Sequence, residues 1–402
     1  MGRSNYSPKK MKKLMFLISS ALLLIGCSGK TVKTIVLTNP SEDYREGVMV
    51  EVATSELGLC AQDFEHLGLF NEEGQQIAYQ VVYYGGEEAS GIVFQATIKS
   101  KMQVEYTLRK AAPLAAEARV SARFVPERKD DFAWENEYAA YRMYGPALAP
   151  ENPSNGIDLW LKKTDELIVD TFYYREHELG MPYHVDYGKG LDCYKVGHTA
   201  GCGGVFPVVG GMPVIGNHYD RWQVLDKGPL RTVFCLEYDN YFADSTAAPL
   251  TETFTVVCDA GQPLCKAYVT YYTEDTTGTV DFSEIGAGIF LHTATANPEI
   301  EVGGNTQIGI SAGYIAYAEN AVSDAGLASG RNYAGIVLPG MKEHAIVDGM
   351  LYGKADYEMG ETYTYYFGGS WSEWKFQSDE EWFEAVAFAA RLDAEPIEVA
   401  FR

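Results

Sequence analysis

Thr251-Glu252-Thr253-Phe254-Thr255-Val256-Val257, then Cys258-Asp259-Ala260-Gly261-Gln262-Pro263-Leu264-Cys265, then Lys266-Ala267-Tyr268-Val269-Thr270-Tyr271-Tyr272, is the stretch whose reading decides the fold. Both flanks are rich in β-branched and aromatic residues, and the middle holds the Asp, Gly and Pro that turn a chain, so it reads as a β-hairpin. The same reading extends outward through Tyr138–Tyr144, Ile157–Lys162 and Arg231–Tyr238 on one side. On the other it extends through Gly286–His292, Ala312–Ala318, Tyr333–Leu338 and Thr362–Phe367. So many strands without alternating helices predict antiparallel sandwich packing rather than a parallel α/β sheet. Residues 35–112 carry their own strands and predict a small β-sandwich, joined through Ala/Pro-rich Ala111–Ala118 to a large β-region over residues 119–402. One helix is predicted at Asp379–Arg391, with Ser378 as N-cap and Glu381 three residues on. Ile397–Phe401 reads as a last strand. The expectation is an all-β chain with one C-terminal helix.

The N-terminus reads differently. Lys9, Lys10, Lys12 and Lys13 precede an apolar run, Leu14 to Ile25, broken only by Ser19 and Ser20. That run is too short to span a bilayer and suits a signal peptide. It ends in Leu24-Ile25-Gly26-Cys27, which looks like a lipobox, with the Cys27 thiol as the lipid acceptor. Met11 is the expected start of translation, residues 1–27 the signal segment, and residues 28–34 a tether. The expected location is periplasmic or on the outer-membrane surface, with the periplasm favoured because no acidic cluster follows Cys27 in Ser28-Gly29-Lys30-Thr31.

Composition narrows the partners. The formal net charge is −23, and cleavage before Cys27 would remove five basic residues and no acidic one. A surface this acidic repels nucleic acid and anionic lipid. The 28 tyrosines and 13% aromatic content suit strands, and also suit stacking on sugar rings. Export permits disulfides; the candidate pairs are Cys258–Cys265 and Cys193–Cys202. No Cys-x-x-Cys or His-x-x-x-His spacing occurs, so neither a structural zinc site nor a cofactor is expected.

Chemistry-bearing residues concentrate between Trp134 and Trp222. Phe172 to Pro213 has little periodicity and many glycines, and it reads as a long functional loop. Within it, His184 and Asp186 are two apart and face one side of an extended segment. His184, Asp186, Tyr187 and His198 are the candidate catalytic residues, because imidazoles, a carboxylate and a phenol move protons. Arg142, Lys195, Asn217, His218 and Trp222 are the candidate substrate-binding residues. Arg142 either clamps a uronate carboxylate bidentately or satisfies Glu135 or Glu137. His184 and Asp186 either work on a substrate or form a buried pair that pins the loop, and Trp160 and Trp222 are either core or platform.

The run from Glu135 through Leu148, the Gly156–Lys162 segment and the Tyr183–Gly204 segment resemble the family catalogued as Domain of Unknown Function 4861, mostly Bacteroidetes lipoproteins of about this length. The resemblance runs from about Val36 to the C-terminus and is most specific over Asp186–Gly204. It implies a galactose-mutarotase-like supersandwich and a gene neighbourhood of uronate-polysaccharide breakdown. It carries over no catalytic residues. Two functions follow as expectations: an enzyme cleaving uronate-containing oligosaccharides by elimination or hydrolysis, or a non-catalytic glycan-binding lipoprotein.

Overall fold

Ile35 and Leu37 alternate with Thr34, Val36 and Thr38 along a strand, Lys33–Thr38, that buries Ile35 and Leu37 in the core of a small β-sandwich. The computed structural model describes residues 33–151, 155–239, 241, 249–274, 282–292, 306–322 and 328–402, without the side chains of 328 and 329. The signal segment, most of the tether and Cys27 lie outside the described residues. One sheet of the small sandwich orders Glu398–Phe401, Lys33–Thr38, Gln103–Lys110, Leu67–Phe70 and Gln76–Ile77. The other orders Arg45–Ala53, Gly91–Ile98 and Tyr79–Val82, and the two enclose Ile35, Leu37, Val50, Phe64, Phe94 and Leu108. The last strand therefore does not stay with the large region it follows. Glu398–Phe401 returns to pair antiparallel with Lys33–Thr38, since Val399 and Phe401 pack against the small core and the edge of Lys33–Thr38 is otherwise open.

The large region is built on an eight-stranded antiparallel sheet. Its order is Arg221–Lys227, Arg231–Tyr238, Thr251–Asp259, Cys265–Tyr272, Tyr363–Trp371, Ala328–Val337, Tyr314–Val322 and Gln307–Ser311. The hairpin read from sequence is there, with Phe254 opposite Val269. Two five-stranded sheets pack on its inner face through one shared core. The first flanking sheet orders Gly190–Asp192, Asp158–Lys162, Ala139–Met143, Asp131–Glu135 and Ser121–Val125. The second orders Met212–Pro213, Cys202–Val209, Glu284–Phe290, Met350–Asp356 and Glu343–Val347. Helix Asp379–Ala394 covers the outer face of the eight-stranded sheet with Trp382 and Val386. Ser378 caps it as expected, accepting from Glu381 N, while the Glu381 carboxylate accepts from Gln377 N. Gln80 joins the small sandwich to the large one, donating to Arg231 O and accepting from Leu230 N and Arg231 N.

Two sequence expectations change here. No disulfide joins the six described cysteines, so neither Cys258–Cys265 nor Cys193–Cys202 is bonded. The aperiodic loop over Phe172–Pro213 is instead a helix, Val169–Leu179, followed by short strands at Gly190–Asp192, Cys202–Val209 and Met212–Pro213. The helix has no side-chain cap of its own. Its first amides are held by Glu135, which accepts from Ile168 N and Val169 N at 2.8 and 2.9 Å and pairs with Lys162 at 2.8 Å. Glu135 and Lys162 are both buried. A Glu135→Ala chain leaves Lys162 buried and uncompensated, and is expected to lose about 3–5 kcal/mol. In hydrogen exchange, the first-turn amides of Val169–Leu179 should lose protection ahead of the rest; unchanged protection there would refute the capping role.

Candidate functional site

The first flanking sheet has two buried faces. Phe132, Trp134, Tyr141, Leu159 and Leu191 point inward to the shared core. Asp131, Arg142, Asp158 and Asp192 stand on the outer face, as the pairings Arg142↔Ala133, Arg142↔Asp158 and Trp160↔Asp192 require. Helix Val169–Leu179 and Tyr183 close over that face against Ala133, Ala140 and Trp160. Arg142 is its centre. Nε donates to Asp158 at 2.5 Å, Nη2 to Asp192 at 2.9 Å and Nη1 to the Tyr183 hydroxyl at 3.1 Å. Its guanidinium lies 5.2 Å from the ring centres of Tyr144, Trp160 and Tyr183. Burial pulls its pKa down, but Asp158 and Asp192 outweigh burial and hold it well above the usual arginine value. Arg142 is therefore neither a clamp for a substrate carboxylate nor the partner of Glu135 or Glu137. Each of its three nitrogens already has a partner, and Glu135 and Glu137 are taken by Lys162 and Arg119.

His184 sits at the rim of this network. Its Nδ1 is 3.1 Å from the Asp192 carbonyl and 3.7 Å from an Asp192 carboxylate oxygen, and its ring lies 4.7 Å from that of Tyr183. Its side chain is 38% exposed. A carboxylate anchored by a buried guanidinium thus faces one imidazole nitrogen of a half-exposed histidine. Asp186 does not share this arrangement. Tyr183 and His184 lie in a turn rather than an extended segment, so residues two apart do not face one side. Asp186 pairs with Lys163 and accepts from Gly188 N and Gly190 N, which fixes the turn. Tyr187 is exposed, with the Arg175 guanidinium 5.9 Å from its ring centre.

Lys195 and His198 are exposed on the loop that links Asp192 to Cys202. The Lys195 carbonyl bonds buried His292 at 2.6 Å, and His292 Nδ1 meets Glu319 at 2.6 Å. His218 is buried, and its backbone N–H donates to the Asn217 side chain. The next residue, Tyr219, donates to the Asp130 carbonyl, which brings this segment to the end of the sheet where Asp131 begins. Trp222 is elsewhere. It stacks on Phe124 at 5.0 Å and touches Phe132, on the inner face, whereas Arg142 stands on the outer face of the same sheet. Sequence reasoning passed over Arg128, which lies with its guanidinium 5.6 Å from the Tyr144 ring centre. Pro126-Glu127-Arg128-Lys129-Asp130-Asp131 reads as a solvated charged turn, and no local pattern marks one of its members as different. Among the described residues, no three His, Cys, Asp or Glu side chains converge to hold a metal ion, and no helix is long and apolar enough to cross a membrane.

Two buried groups set a pH dependence. Burial lowers the pKa of His292, but Glu319 and the Lys195 carbonyl more than offset it, leaving the imidazole above its usual 6.5. A raised histidine stabilises fully below the unfolded value and loses that contribution as pH rises through the folded one. Glu252 stands on the inner face of the eight-stranded sheet, and one of its oxygens has no hydrogen-bond partner among the described residues. Burial pushes its carboxyl well above 4.5, and the neighbouring Tyr271 hydroxyl offsets only part of this. The unfolded chain ionises first, so this group also costs stability as pH rises from 4.5. Melting temperature should therefore fall from pH 6.5 upward. His292→Gln should flatten that fall, and Glu252→Gln should raise the melting temperature at pH 8 more than at pH 5. A wild-type curve that climbs between pH 6.5 and 9 would contradict both assignments.

The chain belongs to the family described as Domain of unknown function (DUF4861), which matches residues 37–399. It is 25% identical over 424 aligned positions to "Uncharacterized protein P7" of Formosa agariphila, covering 97% of this chain and 99% of that one. Among solved structures, it superposes on an alpha-mannosidase from Enterococcus faecalis V583 with a TM-score of 0.48 at 10% identity, over 93% of this chain and 46% of that one. A glycosyl hydrolase family 38 protein from Enterococcus faecalis gives a TM-score of 0.48 and 10% identity, over 94% and 48%. The chain spans about half the length of each of these two structures, and so loose a superposition carries no argument about activity.

Proposed function

We propose that this protein is a carbohydrate-active enzyme that cleaves uronate-containing oligosaccharides at the His184 rim of the first flanking sheet. The observation that carries the reading is the chain Arg142–Asp192–His184, beside the Tyr183 hydroxyl. Asp192 orients the imidazole through Nδ1, which gives the ring the fixed position a general base needs. Tyr183 accepts a hydrogen bond from Arg142, so its own proton is left for another acceptor. In an elimination, His184 takes the proton beside the uronate carboxylate. The carbon–carbon double bond forms as the bond to the leaving oxygen breaks, and Tyr183 protonates that oxygen. Tyr183 takes this role in preference to Tyr187, because its hydroxyl is tied to the same arginine as Asp192. In a hydrolysis, the same imidazole would activate water.

A second reading rests on Trp222. Its ring is 42% exposed and stacked on Phe124, a surface suited to the apolar face of a sugar. On that reading the protein binds glycan without cleaving it. Incubation with pectic and glucuronan oligosaccharides separates the two. New ultraviolet absorbance from an unsaturated uronate, or shortened products on chromatography, supports the enzyme. Intact substrate with binding that Trp222→Ala abolishes supports the binder. Lipidation of Cys27 and a periplasmic or outer-membrane location belong to the same proposal. Mass spectrometry of the mature N-terminus tests it, and an unmodified chain starting elsewhere than Cys27 would refute it.

A further inference from the structure

We infer that Arg128 is the residue that recognises the substrate carboxylate, which makes this a site selective for acidic over neutral sugars. The inference rests on the proposed activity at His184 and deepens it.

A cation beside a uronate carboxylate must have donors to spare and a path to solvent. Arg142 has neither, with Asp158, Asp192 and Tyr183 on its nitrogens and a side chain only 4% exposed. Arg128 has both. A guanidinium carries five N–H donors, and among the described residues the carboxylate paired with Arg128 is Asp131, at 3.4 Å. That contact is long for a charge-assisted bond. Asp131 is itself shared with Arg142, Tyr173 and Gly145 N. Burial raises its carboxyl above the usual aspartate value despite both arginines. Two other arginines show what full pairing looks like. Arg231 and Arg331 each grip one aspartate with two nitrogens at 2.6–3.0 Å.

Position makes the same point. The Arg128 side chain is 20% exposed, and its guanidinium lies against the Tyr144 ring, which holds the plane at a fixed angle. The same Tyr144 ring lies 5.2 Å from the Arg142 guanidinium, whose Nη1 donates to the Tyr183 hydroxyl. Tyr183 thus has the His184 ring against its own ring and, across Arg142 and Tyr144, the Arg128 guanidinium. A base and a carboxylate-binding cation therefore border the same Arg142 network. That arrangement suits a hexuronate ring, whose abstracted proton sits on the carbon bearing the carboxylate. With the carboxylate held by Arg128, its charge is partly neutralised and that proton becomes more acidic.

The test measures binding and turnover of galacturonate and glucuronate trisaccharides and of their carboxyl-reduced, neutral counterparts. The proteins are wild type, Arg128→Gln, Arg128→Lys, Lys195→Gln and His184→Ala, each checked for an unchanged melting transition. Wild type is expected to bind the acidic sugars at least about tenfold more tightly than the reduced ones, the worth of one charge-assisted hydrogen bond. Arg128→Gln should erase that preference while leaving the neutral sugars' affinity unchanged. Arg128→Lys should recover part of it, since the charge remains and the planar fork is lost. The inference is overturned, with the activity at His184 intact, if turnover needs His184 but Arg128→Gln keeps the acidic preference, or if Lys195→Gln removes it instead. It is overturned together with that activity if wild type neither binds nor turns over any of these sugars.

Discussion

Arg142→Met is expected to destabilise the chain more than any other single change at this site, by about 3–5 kcal/mol in chemical denaturation. The side chain is nearly inaccessible and holds two buried aspartates, Asp158 at 2.5 Å and Asp192 at 2.9 Å, with Asp131 at 3.7 Å. Methionine fills much of the same volume but carries no charge. Three carboxylates would then remain in a face covered by a helix, with Arg128 beside Asp131. A loss of this size is a large part of the 5–15 kcal/mol that holds typical domains folded. Removing the charges together should cost less than removing one of them. Arg142→Met combined with Asp158→Asn and Asp192→Asn is expected to recover part of the loss, because the uncompensated carboxylates leave with their partner. If Arg142→Met costs less than about 1 kcal/mol, the aspartates are not held as charged groups in the folded state and the account of this network is wrong.

His184→Ala is the second large effect, and it is expected in activity rather than stability. Loss of a positioned general base typically lowers turnover by about 10²–10⁴-fold. The ring is more than one-third exposed and sits at the rim of the Arg142 network, so the melting temperature should move little. The contrast with Arg142 is what separates working groups from structural ones here. Asp192→Asn is predicted to lower turnover through His184, whose ring it positions, and to weaken the Arg142 network at once. If His184→Ala retains wild-type turnover on a substrate that wild type cleaves, the base lies elsewhere and the site must be sought away from this rim. If no substrate is cleaved and only Trp222→Ala alters glycan retention, the chain is a binding protein.

The hairpin over Thr251–Tyr272, the strands around it and the Ser378-capped helix were legible in the sequence. Each is specified by neighbours within a few positions: alternation, a Gly/Pro turn, a hydroxyl ahead of an apolar face. The concentration of chemistry near His184 was legible for a similar reason, since imidazoles and carboxylates among glycines stand out in composition. The helix Val169–Leu179 was not. Its cap comes from Glu135, more than thirty residues away, and its apolar positions, Val169, Phe172 and Tyr173, are few among charged ones. The polar face of Asp158-Leu159-Trp160-Leu161-Lys162 carries the alternation of a half-exposed strand, yet both faces are buried, because that helix covers the polar one.

Which polar groups are spent and which are available was likewise settled only by the tertiary structure. In sequence Arg142 and Arg128 are two arginines on or beside strands, and Asp186 and Asp192 two aspartates near a histidine. Folding gives Arg142 two aspartates and a tyrosine, and gives Arg128 one distant carboxylate. It gives Asp186 a lysine and two backbone amides, and sets Asp192 against His184. Local sequence determines secondary structure because hydrogen bonds and side-chain alternation act over a few residues. The state of a charge depends on burial and on partners brought from distant strands, so the fold as a whole decides which of these groups can act on a ligand.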